Sequence, residues 1–379
     1  MRISIIGPAF PLRGGIAHHV YWLHQELIRR GHQVQVVSFL ALYPKLLFPG
    51  TTEFDSSRLR FDAGATPILK PLNPFTWLRA RNSVKSFSPD VVIFEWWQPF
   101  FGLLVGTLTR WLRRAGIKCV IECHNVFPHE PRLTDSLLTK YALSAADHLI
   151  THSTKDKADL LAMLPGKDVS VSPLPSLQEF AGGQNPNRSG TTILFFGKVR
   201  KYKGLDVLLA ALPRVLSKIE CKLLVVGEFY DSIARYQRLI RELNIESHVQ
   251  IDNRYVPNEE VPQIFARAEV LVLPYLSATQ SAVARIALSN NLPVIASRTG
   301  GLTEAIVENV NGLLFPPGDS KALADKLMSY FSNRLGPVLA KNLNESKAED
   351  FCSVAEIIEK VVEDKLVDNS TLPAENRKH

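Results

Sequence analysis

No apolar run in this 379-residue chain approaches the roughly 20 residues that cross a bilayer as a helix. The opening MRISIIGPAF is expected not to be a signal peptide, because its apolar stretch is short and ends in a glycine loop. Cysteine is scarce. Cys119, Cys123, Cys221 and Cys352 make no C-x-x-C pair, and Cys119 and Cys123 read as core residues of one strand. A disulfide framework is thereby disfavoured and a reduced, cytoplasmic protein is expected, with peripheral contact at the inner membrane face left open. The chain has no G-x-G-x-x-G, no P-loop and no D-x-D. Without them a nicotinamide dehydrogenase is disfavoured, and so is an acidic clamp that would hold a divalent ion on a nucleotide.

What the chain does have is positive charge, a net +7. Nucleic acid, an anionic membrane surface and polyanionic small molecules compete as its partners. The basic residues are dispersed and lack interleaved aromatics, so no nucleic-acid partner is expected.

Short apolar strands alternate with amphipathic helices, and the pattern runs twice. In the first half, strands are expected at 3–6, 33–38, 91–94, 119–122 and 148–151, with helices between them. Residues 174–189 hold several breakers and read as a linker. Strands at 193–196, 222–226, 249–251, 270–273 and 294–296 then repeat the alternation. Buried strands alternating with helices imply parallel, doubly wound sheets. The expected fold is α/β, with two Rossmann-like domains facing a central cleft. Their spans are 1–173 and 190–350, with a last helix at about 351–366. Ligands of such sheets sit at the carboxyl ends of the strands.

The most informative stretch is TILFFGKVRKYKGLDVL, residues 192–208. A buried strand ends at Gly197, the chain passes Lys198, Arg200, Lys201 and Lys203, and a helix opens after Gly204. Backbone N–H groups, a helix N-terminus and long basic side chains together suit an anion. A solvated basic turn is the competing reading. Other strand-end loops add candidates. Gly14-Gly15 precedes a helix and allows close backbone approach. His124 ends a strand where it would face the cleft, with His129 and Glu130 further along the loop. That spacing gives little support to a metal site. Thr279, Gln280 and Ser281 open a helix and suit phosphate. Gly300-Gly301 permits another close approach, and Glu304 either meets the ligand or complements its helix dipole. Glu95, Trp96 and Trp97 follow the 91–94 strand, ahead of a helix ending in Arg110, Arg113 and Arg114. They read either as an acceptor surface for a lipid-linked sugar or as ordinary core. The apolar segment 42–50 is a second candidate contact.

In order and spacing these pieces resemble a GT-B glycosyltransferase of the retaining family 4 type. The resemblance spans roughly residues 2–365. It rests on Gly14-Gly15, the strand ending at His124, the G-x-x-R-x-x-K-G run from Gly197 to Gly204, Gly227, and LPVIASRTGGLTEAI followed by NGLLFPPGD. It implies a carboxy-terminal domain for the nucleotide-sugar donor and an amino-terminal domain for the acceptor, with the last helix crossing back to the latter. By resemblance, Arg200 and Lys203 bind the diphosphate. Lys198 stands where the family usually has the arginine. His124 contacts the donor sugar near the reacting carbon, and Gly15 approaches the phosphates or the sugar. The family commonly has two glutamates where this chain has Ala278 and Ile286. Gln280-Ser281 resembles a subset with a Gln-Ser pair there.

The expected function is retaining transfer of a sugar from a nucleotide-sugar donor to a glycan or lipid-linked acceptor in polysaccharide synthesis, without cofactor or metal. Two alternatives stand beside it: a non-catalytic binding or assembly protein of the same fold, and a sugar-nucleotide epimerase.

Overall fold

A computed structural model describes residues 1–44, 50, 52–127, 134–174, 177–182, 190–345 and 353–370. The 45–49 part of the apolar segment, together with His129 and Glu130, lies outside the described residues. The amino-terminal sheet is built from β1 (Arg2–Ile6), β2 (Gln33–Phe39), β3 (Thr66–Leu69), β4 (Val91–Trp96), β5 (Lys118–Cys123), β6 (His148–Thr151) and β7 (Val169–Val171), in the spatial order β3-β2-β1-β4-β5-β6-β7. The second sheet is built from β8 (Thr192–Phe196), β9 (Lys222–Val226), β10 (Val249–Asp252), β11 (Val270–Leu273), β12 (Val294–Ser297) and β13 (Gly312–Phe315), in the order β10-β9-β8-β11-β12-β13. Every pairing within the two sheets is parallel. The expected two-domain α/β architecture is the observed one.

In each sheet the strand order reverses once, between β1 and β4 and between β8 and β11. Those reversals open the crevices in which such sheets bind ligands. The central strands are apolar because helices cover both faces: all six residues of β4 are buried. Around the sheets run α1 (Gly15–Arg29), α2 (Pro74–Phe87), α3 (Gly102–Arg113), α4 (Asp135–Leu143), α5 (Thr154–Met163), α6 (Leu205–Leu216), α7 (Ile233–Glu242), α8 (Val261–Ala266), α9 (Ala282–Ser289), α10 (Leu302–Ala305), α11 (Ser320–Ser332), α12 (Leu335–Glu345) and α13 (Val354–Ser370). Among the described residues no helix is long and apolar enough to cross a membrane.

The carboxyl ends of the two sheets face each other, as the contacts between their loops show. Arg13, after β1, pairs with Glu228, after β9, at 2.5 Å. Thr279, after β11, donates its hydroxyl to Asn125 Oδ1, after β5. Gln280 Nε2 donates to the carbonyl of His152, after β6, at 2.7 Å. On the outer side α13 lies on the amino-terminal domain. Its Ala355, Ile357 and Ile358 share a core with Val20, Leu23 and Leu27 of α1. Arg30 binds Glu356 and Glu359 of the same helix at 2.8 and 3.0 Å.

Candidate active site

Two helix starts meet in the cleft. The Gly14 cap of α1 makes no side-chain hydrogen bond, so the first N–H groups of that helix gain no side-chain partner there. A Cβ placed on Gly15 would lie 3.9 Å from the Cβ of Ala282, the first residue of α9. A Cβ on Gly14 would lie 3.9 Å from Lys198 Nζ. The Gly14-Gly15 loop of one domain therefore covers the α9 start and the basic loop of the other.

The basic loop is a crowded group of cations. Lys198 Nζ and Arg200 Cζ lie 5.4 and 4.9 Å from the ring centre of Tyr230. Lys203 Nζ lies 5.2 Å from the ring centre of Tyr275 and close beside Gly197. Lys203 is buried. Burial, and then the charge of Arg200, push its ammonium below the usual lysine range. Lys198 is exposed. The protein packed around it, with Arg13, Arg200 and Lys203, still pushes it down to about 8. Glu228 is the carboxylate that acts on Lys198, and it is also paired with Arg13. Like charges held together in this way have the chemistry to receive an anion. Arg13 belongs to this group and was not singled out in the sequence, where it reads only as one residue of a loop.

Gly197 and Gly227 end β8 and β9 beside these cations; a Cβ on Gly227 would run into the Gly197 carbonyl. Gly300-Gly301 behaves differently from its reading as a ligand cradle. A Cβ on Gly300 would lie 1.6 Å from the Ala278 carbonyl oxygen, and one on Gly301 2.2 Å from Thr279 O. What comes close to these glycines is the backbone of Ala278 and Thr279 and the side chain of Gln280. Ser281 caps α9, accepting from Ala284 N. Glu304 Oε1 accepts from the backbone N–H and hydroxyl of Thr154 at 3.1 and 2.8 Å, clasping α5 of the other domain.

The expected acceptor residues separate. Strand β4 runs to Trp96, two residues beyond the 91–94 strand read in the sequence. Trp96 is fully buried with Phe94 and Phe101 in the amino-terminal core and presents no surface. Trp97 is half-buried and packs on Phe101 at 4.2 Å between ring centres. Arg110 and Arg113 stand at the far end of the 12-residue α3. That helix is about 18 Å long, so they do not join Trp97 in one site. Arg113 pairs with Asp147, and Arg110 bonds Gly106 O and Ser144.

Glu95 is the larger correction. It is buried under the cleft floor, where its Oε2 lies 2.5 Å from His124 Nε2. Next to this pair, His19 Nε2 on α1 lies 2.7 Å from Glu122 Oε1 on β5. His152 Nε2 approaches the same oxygen at 3.3 Å, while its Nδ1 donates to Ser172 O at 2.7 Å. Oxygen or ring-nitrogen atoms of His19, Glu95, Glu122 and His124 all fall within 4.8 Å of one another. At that distance two buried carboxylates repel by roughly 3 kcal/mol at an effective dielectric constant of about 20, and the two titrate in opposite directions. Burial, and then the charge of Glu122, raise Glu95 well above the carboxylate range. Burial also pushes Glu122 up, but His19, His152 and His124 more than reverse this and hold it at about 2. Burial pushes His19 down, but Glu122 and Glu95 lift it to about 9. Burial and then the charge of His19 depress His124 to about 3. Of this group the sequence reading had only His124 and Glu95. His19 lies in the amphipathic pattern of a helix and Glu122 inside an apolar strand, and periodicity alone does not flag either.

A family model for glycosyltransferase family 4 matches residues 13–174, and one for glycosyl transferases group 1 matches residues 190–333. The chain belongs to the GT-B glycosyltransferases. Among similar proteins, the phosphatidylinositol N-acetylglucosaminyltransferase gpi3 subunit of Schizosaccharomyces pombe is 24% identical over 371 residues, covering 93% of this chain and 78% of its own. A D-inositol 3-phosphate glycosyltransferase of Saccharomonospora viridis is 29% identical over 218 residues, covering 52% of this chain and 50% of its own. Among solved structures, sucrose-phosphate synthase from Thermosynechococcus elongatus superposes with a TM-score of 0.76 at 18% identity, covering 97% and 99% of the two chains. Anabaena Alr3699/HepE in complex with UDP and glucose gives 0.73 at 16%, covering 97% and 100%. These structures share the fold of this glycosyltransferase.

Proposed function

We propose that this glycosyltransferase is a retaining enzyme that moves a sugar from a nucleotide-sugar donor to a glycan or lipid-linked acceptor in polysaccharide synthesis. The observation that carries the reading is the meeting of Lys198, Arg200 and Lys203 with the starts of α1 and α9 in one crevice. A nucleoside diphosphate leaving a sugar gains negative charge as the anomeric carbon becomes cationic. Fixed cations and helix N-termini aimed at that diphosphate stabilise the transition state more than the ground state. They also supply the positive charge that a divalent ion would bring, so donor binding is proposed to be metal-independent.

Retention follows from attack on the same face from which the diphosphate leaves, with a phosphate oxygen taking the acceptor proton. No protein nucleophile is then required. His124, at the cleft end of β5, is the proposed contact to the donor sugar. The half-buried Trp97 remains the proposed edge of the acceptor site. Leu72, Phe75, Leu103 and Leu137 stand exposed at the starts of α2, α3 and α4, which favours an acceptor with a lipid part.

A second reading, a non-catalytic protein of the same fold, is favoured by one observation. Ile286 is buried in the core and Ala278 packs against it, at the positions where the resemblance implies carboxylates.

The test is calorimetry and thermal shift against UDP, GDP, ADP and dTDP and their common sugars, with and without Mg²⁺. UDP-glucose is the first to try, because a UDP complex is known for the HepE fold relative. Metal-independent binding of one nucleotide, followed by turnover of its sugar, supports the transferase. Binding without turnover would shift the reading to the non-catalytic protein, and no binding at all would remove the donor site.

A further inference from the structure

The five buried groups beneath the cleft form two pairs and a bystander. Glu122 holds His19. Glu95 holds His124. His152 donates through Nδ1 to Ser172 O and leaves its Nε2 facing Glu122 without a hydrogen bond. Glu95 Oε1 likewise has no hydrogen-bond partner. Room for Glu95 is built into β1 and the turn after it: a Cβ on Gly7 would lie 2.4 Å from Glu95 Cγ. The cluster opens towards the cleft mainly at His124, whose side chain is 10% exposed, while Glu95 and Glu122 are sealed.

A bound cation is the first thing such a cluster suggests, and the distances argue against it. Two tetrahedral ligands about 2.0–2.1 Å from one zinc ion stand roughly 3.3 Å apart. The two nitrogen–oxygen pairs here, at 2.5 and 2.7 Å, are too close for that: His124–Glu95 is a strong hydrogen bond, and His19–Glu122 is a close ion pair without hydrogen-bond alignment. The cluster therefore shares protons. With one carboxylate ionised against His19, a second buried negative charge within 4.8 Å would be unpaired unless Glu95 keeps its proton.

We propose that Glu95 is the positioning residue of His124: its protonated carboxyl donates to Nε2 and holds the ring neutral, with the ring proton on Nδ1. The groups facing His124 from every packed element fit this state: the ion pair of His19 on α1 with Glu122 on β5, and neutral His152 after β6. The inference rests on the proposed reading of His124 as a sugar contact. On that reading the domain sides of the cleft divide the labour. Cations of the carboxy-terminal domain meet the leaving diphosphate. A neutral ring of the amino-terminal domain meets the sugar, so no cation opposes the positive charge growing at the anomeric carbon.

The decisive measurement needs no substrate. In ¹⁵N-histidine NMR of the full chain, His124, assigned by loss of its signal in His124→Gln, should remain a neutral Nδ1–H tautomer from pH 5 to 8. An imidazolium signal in that range would overturn the proposal, as would a stoichiometric metal in the purified protein. Glu95→Gln, a neutral donor of the same shape, should keep the tautomer, whereas Glu95→Ala should give a mixture of both. If Glu95→Ala fails to fold, the wild-type and Glu95→Gln spectra still decide. With UDP-glucose as probe donor, Glu95→Gln should hold kcat within about threefold and Glu95→Ala should lower kcat at least tenfold with UDP affinity unchanged. A wild type that does not bind UDP speaks against the donor reading and leaves the NMR result standing.

Discussion

Arg13 and Glu228 form an ion pair of 2.5 Å between the two domains, with the arginine side chain only 1% exposed. The guanidinium also stacks on Tyr255, 4.7 Å from its ring centre. Removing one partner of a sealed pair normally costs about 3–5 kcal/mol. Here the pair spans two domains, and their parting would let water reach the remaining charge. Glu228→Ala should therefore show itself as opening: a larger radius of gyration in solution scattering, with a melting temperature within a few degrees of wild type. An unchanged radius would mean that the pair does not hold the cleft closed.

Lys203→Ala should remove nucleotide binding and lower turnover on the order of 10²–10³-fold, the usual cost of losing one preorganised donor to a developing anion. Stability should hold, because the lost group is a buried, destabilised ammonium. Titration calorimetry with UDP and a melting curve check both halves. Full activity in this variant would sink the diphosphate site.

Lys198 has its ammonium pushed down to about 8. Above that pH the free enzyme has lost part of this charge, and a bound diphosphate draws the proton back. Nucleotide affinity should fall as pH rises from 7 to 9, with proton uptake on binding near pH 8–9. Calorimetry in two buffers of different ionisation enthalpy reads that proton directly, and Lys198→Arg should abolish the uptake.

The His19–Glu122 pair gives stability a pH signature. His19 rises from 6.5 to about 9 on folding, so its contribution is complete below 6.5 and lost as pH climbs through 9. Glu122 falls from 4.5 to about 2, so its contribution is present above 4.5 and lost as pH drops towards 2. Glu95, raised above 4.5, adds a loss with rising pH. Melting temperature should decline from pH 7 to 10, most steeply near 9, and His19→Gln should flatten the step near 9. A flat wild-type profile over that range would contradict the buried charges.

The architecture was legible because parallel sheets covered on both faces leave a strong apolar signal, and ten of the strands announce themselves as runs such as VVIF and VLVL. The unread strands are β3, β7 and β13. The first two are sheet edges, and Thr66-Pro67 in β3 is atypical for a strand. β13 is four residues opened by a glycine. The anion group was readable because glycines and cations cluster along the chain. Its partner Arg13 comes from the other domain, and only folding brings it there. Glu95 and Trp96 read as cleft residues because the apolar run breaks at the charged Glu95, whereas β4 continues to Trp96. A two-residue difference in where the strand ends turns buried core into apparent cleft surface.

The chain passes between domains twice, once after β7 and again before α13, which lies on α1 through Ile357, Ile358 and the Arg30 pairs. A body joined at one point can swivel in any direction. One joined at two points turns about the line through them, as a door turns on two pins. Cutting away α13 would leave a single crossing, and the expected result is a wider spread of domain orientations in solution scattering.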